Sequence, residues 1–196
     1  MPTEDAGHRW PLDDLLEVRD ELLTAYATDG RSYHDTRHLT EVLDRLDELG
    51  CDDVVVRLAA WFHDAVYDAV AGDEERSALW AERALPPEVA GEVARLVRVT
   101  TDHDPVPDDL AAQQLCDADL AILASAPSRY EEYARDVRVE YAAVPDADYA
   151  LGRGVILAEL LDRPSLFHTM LARALWEGPA RSNIEIELAR LREISG

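Results

Sequence analysis

The chain has 196 residues, 47% of them hydrophobic, and a formal net charge of −22. That length suits one domain around a single core, and the apolar fraction excludes a disordered chain. The acidity excludes a nucleic-acid polymer as partner, because such binding needs a basic footprint that displaces counterions; all 19 cationic side chains are arginine.

The predicted elements are helices. Leu12, Leu15, Leu16, Leu22 and Leu23 mark a first amphipathic helix. Leu39, Val42, Leu43, Leu46 and Leu49 follow helical spacing, and Gly50 stops that helix. A third helix is expected from Asp53 to Tyr67. Asp73 is placed to cap the next, which runs through Ser77, Leu79, Trp80 and Leu85. Pro86-Pro87 break it and open another, Val89 to Val99. The segment DHDPVPDD reads as a loop. Leu110 to Ala124, Pro127 to Tyr141, Asp148 to Leu161 and Ser182 to Ile194 complete the set. Only Val54-Val55-Val56 resembles a strand, and its helical continuation outweighs it. The expected fold is an all-α, single-domain helical bundle spanning residues 1–196. No apolar run nears the roughly 18 residues needed to span a bilayer, so no membrane association is expected. Cys51 and Cys116 have no metal or redox spacing and read as reduced thiols of a cytoplasmic protein.

The pair His63-Asp64 lies inside the apolar run LAAWFHDAVYD. Burying even an uncharged polar group without a partner costs about 2–7 kcal/mol, so something must offset this aspartate. A metal ion would do so. His38 in YHDTRH and Asp119 in CDADLAIL supply the other candidate ligands. Two imidazoles and two carboxylates form a mixed N/O set that suits one divalent ion of Mn, Mg, Co, Ni, Fe or Zn in an open site. Asp117, in the same segment as Asp119, reads as a capping or supporting acid.

At these residues the chain resembles the HD superfamily of metal-dependent phosphohydrolases. The pattern is a first His, a His-Asp dipeptide and a distant Asp, met here by His38, His63-Asp64 and Asp119. The closer resemblance is to a bacterial subgroup of predicted HD phosphohydrolases. It rests on RxYHxxxH (Arg31 to His38), FHDAVYD (Phe62 to Asp68), DADL (Asp117 to Leu120) and an ARxNIxxE-like segment starting at Ala180. It covers roughly residues 20–195. The resemblance implies an HD-type helical domain that hydrolyses a phosphate ester or anhydride of a small molecule, nucleotides first among them. Tyr67 stands where some nucleotidases of the superfamily carry a glutamate, and an acid follows at Asp68.

Around the ligands, Asp68, Glu74 and His34 are candidates for acid–base work. Arg37, His103, Arg181 and Asn183 are candidates for binding the phosphorylated substrate. His34 precedes His38 by four residues and would share its face if that stretch were helical. Two other readings use the same residues: an HD-fold module that binds nucleotide or metal without turnover, and an HD-fold di-iron oxygenase. The oxygenase needs more ligands than this set provides. A homo-oligomer is compatible with all of these readings.

Overall fold

In a computed structural model of the chain, residues 6–195 are described. Every regular element among them is helical, as the periodicity predicts. The chain divides into two compact units, Met1–Asp119 and Leu120–Gly196.

The first unit holds α1 (Leu16–Tyr26), α2 (Thr36–Glu48), α3 (Val54–Phe62), α4 (Asp73–Ala84), α5 (Pro87–Val99) and most of α6 (Leu110–Leu120). Local chemistry fixes the ends of the two helices that matter most for the site. The Asp35 carboxylate accepts hydrogen bonds from the Arg37 and His38 N–H groups at the start of α2. Asp53 does the same for Val55 at the start of α3. Each satisfies donors that have no partner within the helix. The apolar stripe of α2, Leu39, Val42, Leu43 and Leu46, is fully buried, and His38 lies on it with only 2% exposure. α3 is apolar on nearly every side and is buried from Leu58 to Phe62. These two helices join one core that also takes in Leu22, Tyr26, Ala78, Val93, Leu96 and Leu115.

The second unit holds a 3₁₀ turn (Ala121–Ala124), α7 (Pro127–Glu140), α8 (Asp146–Asp162) and α9 (Met170–Ser195). Asn183 on α9 donates to the Leu123 and Ser125 carbonyls and so ties the long helix to the turn. Glu187 and Arg153 pair at 3.0 Å, with Tyr130 donating to Glu187 and Arg153 donating to Tyr133.

Several boundaries differ from expectation. α3 ends at Phe62 with His63 as its C-cap, short of Tyr67, so Asp64 lies beyond the helix. α1 begins at Leu16, after Leu15 in a left-handed conformation. Gly72, also left-handed, occupies the cap position of α4 expected for Asp73. The Asp73 carboxylate instead accepts from the Asp68 and Val70 N–H groups in the preceding loop. α9 starts at Met170 and passes through Pro179, a residue that usually interrupts a helix.

Leu43 is wholly enclosed. Leu43→Ala is expected to destabilise the protein by about 2–5 kcal/mol. Val139→Ala, at an exposed position, should cost within about 0.5 kcal/mol. Urea unfolding followed by circular dichroism checks both.

Candidate metal centre

Three elements of the first unit carry the cluster. His38 lies in the first turn of α2, His63 caps the C-terminus of α3, and Asp119 sits near the end of α6. Their ligand atoms all lie within 4.8 Å of one another. The His38 and His63 Nε2 atoms are 3.0 Å apart. Asp64 Oδ2 lies 3.2 Å from His38 Nε2 and 3.1 Å from His63 Nε2. Asp119 Oδ1 lies 3.3 Å and 3.6 Å from the same two nitrogens. Both histidines are essentially inaccessible, and the two carboxylates are mostly enclosed, at 16% and 15% exposure.

The 3.0 Å contact between two imidazole nitrogens is the critical observation. One proton can lie between them, but a second would set N–H against N–H. The His63 Nδ1–H donates to the Ala60 carbonyl at 2.8 Å, which turns its Nε2 lone pair toward the cluster when the ring is neutral. Two imidazole nitrogens and an Asp119 oxygen gathered together, with an Asp64 oxygen against both nitrogens, are a donor set that suits a cation. Donors about 2.1 Å from a shared centre stand about 3.0 Å apart at adjacent octahedral corners and about 3.4 Å apart at tetrahedral corners. The separations from His38 fall within that range and the His63–Asp119 one lies just beyond it, so His38, His63 and Asp119 could hold a divalent ion.

The electrostatics agree. Burial lowers the His38 pKa, but hydrogen bonds from its ring to the Asp119 and Asp64 carboxylates outweigh it and raise the value to about 9. His63 is likewise opposed by burial and raised well above its ordinary value, chiefly by the Asp64 charge. Burial pushes both carboxyls up, yet the neighbouring imidazoles hold Asp64 and Asp119 well below the usual carboxylate range. The site therefore demands positive charge, as protons or as a metal ion.

His103 joins through the other side of Asp119. Its Nε2 donates to Asp119 Oδ2 at 2.7 Å, leaving Oδ1 toward the two histidines. Its backbone is in the left-handed region, φ 49°, which is uncommon for a residue with a side chain. This geometry gives His103 the task of orienting a carboxylate. His34 precedes α2 in a turn, so the helical-face expectation does not hold. Its ring stacks on Tyr67 at 3.9 Å and stands 5.5 Å from the His38 ring.

The remaining predicted residues have other attachments. Asp68 pairs with Arg76 at 2.8 Å and is largely exposed. Glu74 lies in the first turn of α4. Arg37 pairs with Glu41 one helical turn on. In the second unit, Arg181 donates to Glu177 and to the Leu161 and Arg163 carbonyls, while Asn183 serves the turn already described. Asp117 is buried within α6, away from the helix N-terminus where a capping role would place it.

Two residues around the cluster had no assigned role in the sequence. Arg31 donates to the backbone beside Asp64, and the Tyr26 hydroxyl accepts from the Asp64 N–H at 3.3 Å. Arg31 stands in the RxYHxxxH motif, a signal that could have found it; Tyr26 carries no such signal.

Comparisons with protein-family models, curated proteins and solved structures returned no match. No helix among the described residues is long and apolar enough to cross a membrane.

In the metal-free protein, the raised His38 pKa contributes stability that is complete below about 6.5 and is lost as pH rises through about 9. Thermal melts of chelator-treated protein should therefore fall across that window. A metal ion must displace the same proton, so its apparent affinity should climb by about tenfold per pH unit for each proton released. Titration calorimetry with Mn²⁺ or Zn²⁺ at several pH values measures this, and a pH-independent affinity would contradict it.

Proposed function

We propose that this chain is an HD-type, metal-dependent phosphohydrolase that cleaves a phosphate ester or anhydride of a small molecule, with nucleotides the foremost substrate class. The observation that carries the reading is the meeting of His38, His63 and Asp119 in a group that could hold a metal ion, with Asp64 lying against both imidazoles, so that the four residues follow the order of the HD pattern. The resemblance of the motifs adds the reaction class.

His38, His63, Asp64 and Asp119 would hold the ion. When bound, it supplies Lewis-acid polarisation of a phosphoryl oxygen and lowers the pKa of water to about 7. The protein's residues do the rest. His63 is held in the ligating tautomer by the Ala60 carbonyl, and Asp119 is turned by His103. His34, partly exposed and stacked on Tyr67, stands beside the cluster, where a ring N–H can donate to the leaving oxygen as the bond to phosphorus breaks. The enclosed histidines and apolar surroundings keep bulk water from screening these charges.

A net charge of −22 disfavours phosphate approach at long range. The attraction must be local. Arg37 already pairs with Glu41, and Arg181 is engaged with Glu177 and two carbonyls. A bound ion, the imidazoles and the Arg31 guanidinium on the Asp64 carbonyl are then sources of positive charge at the cluster itself.

The deciding experiment is turnover of a panel of nucleotides and sugar phosphates with added Mn²⁺, Mg²⁺, Co²⁺ or Zn²⁺. Phosphate release is expected from at least one substrate. Asp64→Ala should lower kcat/KM by about a hundredfold or more, equivalent to about 2.7 kcal/mol of transition-state stabilisation. His34→Ala should lower kcat by about tenfold to a hundredfold while metal content is retained. Tight metal binding with no product from any substrate would favour the binding module instead.

A further inference from the structure

His63 is placed by helix α3, but Asp64 is not. α3 ends at Phe62, with His63 as its cap, so the second half of the dipeptide lies on irregular backbone. A carboxylate that must approach two imidazole nitrogens at 3.1 and 3.2 Å needs that backbone held still. The residue that holds it is Arg31. Its Nη1 donates to the Asp64 carbonyl at 2.6 Å and to the His34 carbonyl at 3.0 Å, and its Nη2 donates to the Ala65 carbonyl at 2.9 Å. One guanidinium therefore joins the turn before α2 to the turn after α3, the two segments that flank the ligands. The rings of Tyr26 and Tyr67 lie 5.3 and 5.8 Å from its central carbon, within cation–π range. The Asp64 N–H is taken by the Tyr26 hydroxyl, so both backbone polar groups of this residue are engaged from outside the dipeptide.

We propose that Arg31 is a positioning residue that sets the backbone of Asp64, and through it the carboxylate, against His38 and His63. The proposal rests on the reading of the cluster as a metal site. It follows from the planar, multiply donating guanidinium, which spans two strips of backbone at once; an ammonium carries its donors on one atom and reaches fewer acceptors in that arrangement. The charge also matters, because hydrogen bonds from an ionised donor are about twice as strong as neutral ones. Arg31 acts through Asp64, with three of its N–H groups spent on the carbonyls of the two turns.

The test uses the full-length chain and has two readouts. The first needs no metal. Amide hydrogen exchange at residues 64–66 is measured in chelator-treated wild type, Arg31→Lys and Arg31→Gly. Exchange should be about tenfold faster or more in both variants, with the α2 amides unchanged. Methylguanidinium added to the glycine variant should slow it again. Unchanged exchange at 64–66 overturns the clamp. The second readout is the visible absorption of added Co²⁺, which reports ligand identity and geometry. Arg31→Lys should bind Co²⁺ about tenfold more weakly or worse, with a spectrum displaced toward that of Asp64→Asn. General loss of stability would not produce that displacement. Wild-type affinity and spectrum in Arg31→Lys would overturn the link from backbone to carboxylate. Failure of the wild type to take up Co²⁺ would overturn the metal reading, while the metal-free exchange measurement still decides whether Arg31 holds the turn.

Discussion

The first unit is organised around the neutralisation of two enclosed carboxylates. Asp64 and Asp119 face His38 and His63 in a cluster with little access to water. An unmatched charge there would cost several kcal/mol, and the helices that carry these residues pack into one core. The condition is shared by every member. The short contact between imidazoles, the raised His38 pKa and the lowered carboxyl values are views of one balance. A cation held by His38, His63 and Asp119 would relieve this balance, whereas protons do so only by competing for the space between two nitrogens.

The surroundings support that balance from outside the ligand set. Ala60 fixes the His63 tautomer through its carbonyl, and His103 occupies the far oxygen of Asp119. Such outer hydrogen bonds commonly decide ligand basicity and orientation. His103 reaches its partner from a left-handed backbone just past α5. Strained conformations of this kind persist where the surrounding structure holds them and are frequent at functional sites.

Much of this was legible in the sequence, for identifiable reasons. The leucine and valine stripe of α2 has strict helical spacing, and the buried face it predicts is the observed one. Asp64 in an apolar run demanded a partner, and His38 and His63 are the residues found beside it, with Asp119 on the same two imidazoles. What the pattern could not convey was where α3 stops. Apolar residues continue to Tyr67, so periodicity extends the helix, whereas the turn is set by bonds from distant side chains: Tyr26 to Asp64, Arg31 to Asp64 and Ala65, and Ser77 to Val66. The attachments of Arg181 were hidden for a related reason. A motif gives residue types, but only packing reveals that this guanidinium is consumed by Glu177 and the end of α8. The start of α9 was hidden by Gly178-Pro179, whose local preference tertiary packing overrides.

The break in α3 between two neighbouring ligands has an evolutionary consequence. The imidazole of the dipeptide caps the end of α3, while its carboxylate hangs from a turn bonded by Tyr26 of α1 and by Arg31 in the segment before α2. The two can drift independently. Substitutions remote from the coordination sphere can shift one oxygen by fractions of an ångström and leave the nitrogens in place. Preference among Mg²⁺, Mn²⁺ and Zn²⁺ turns on differences of that size in bond length and coordination number. If the cluster holds a metal ion, its preference among metals could therefore be altered without exchanging a single ligand.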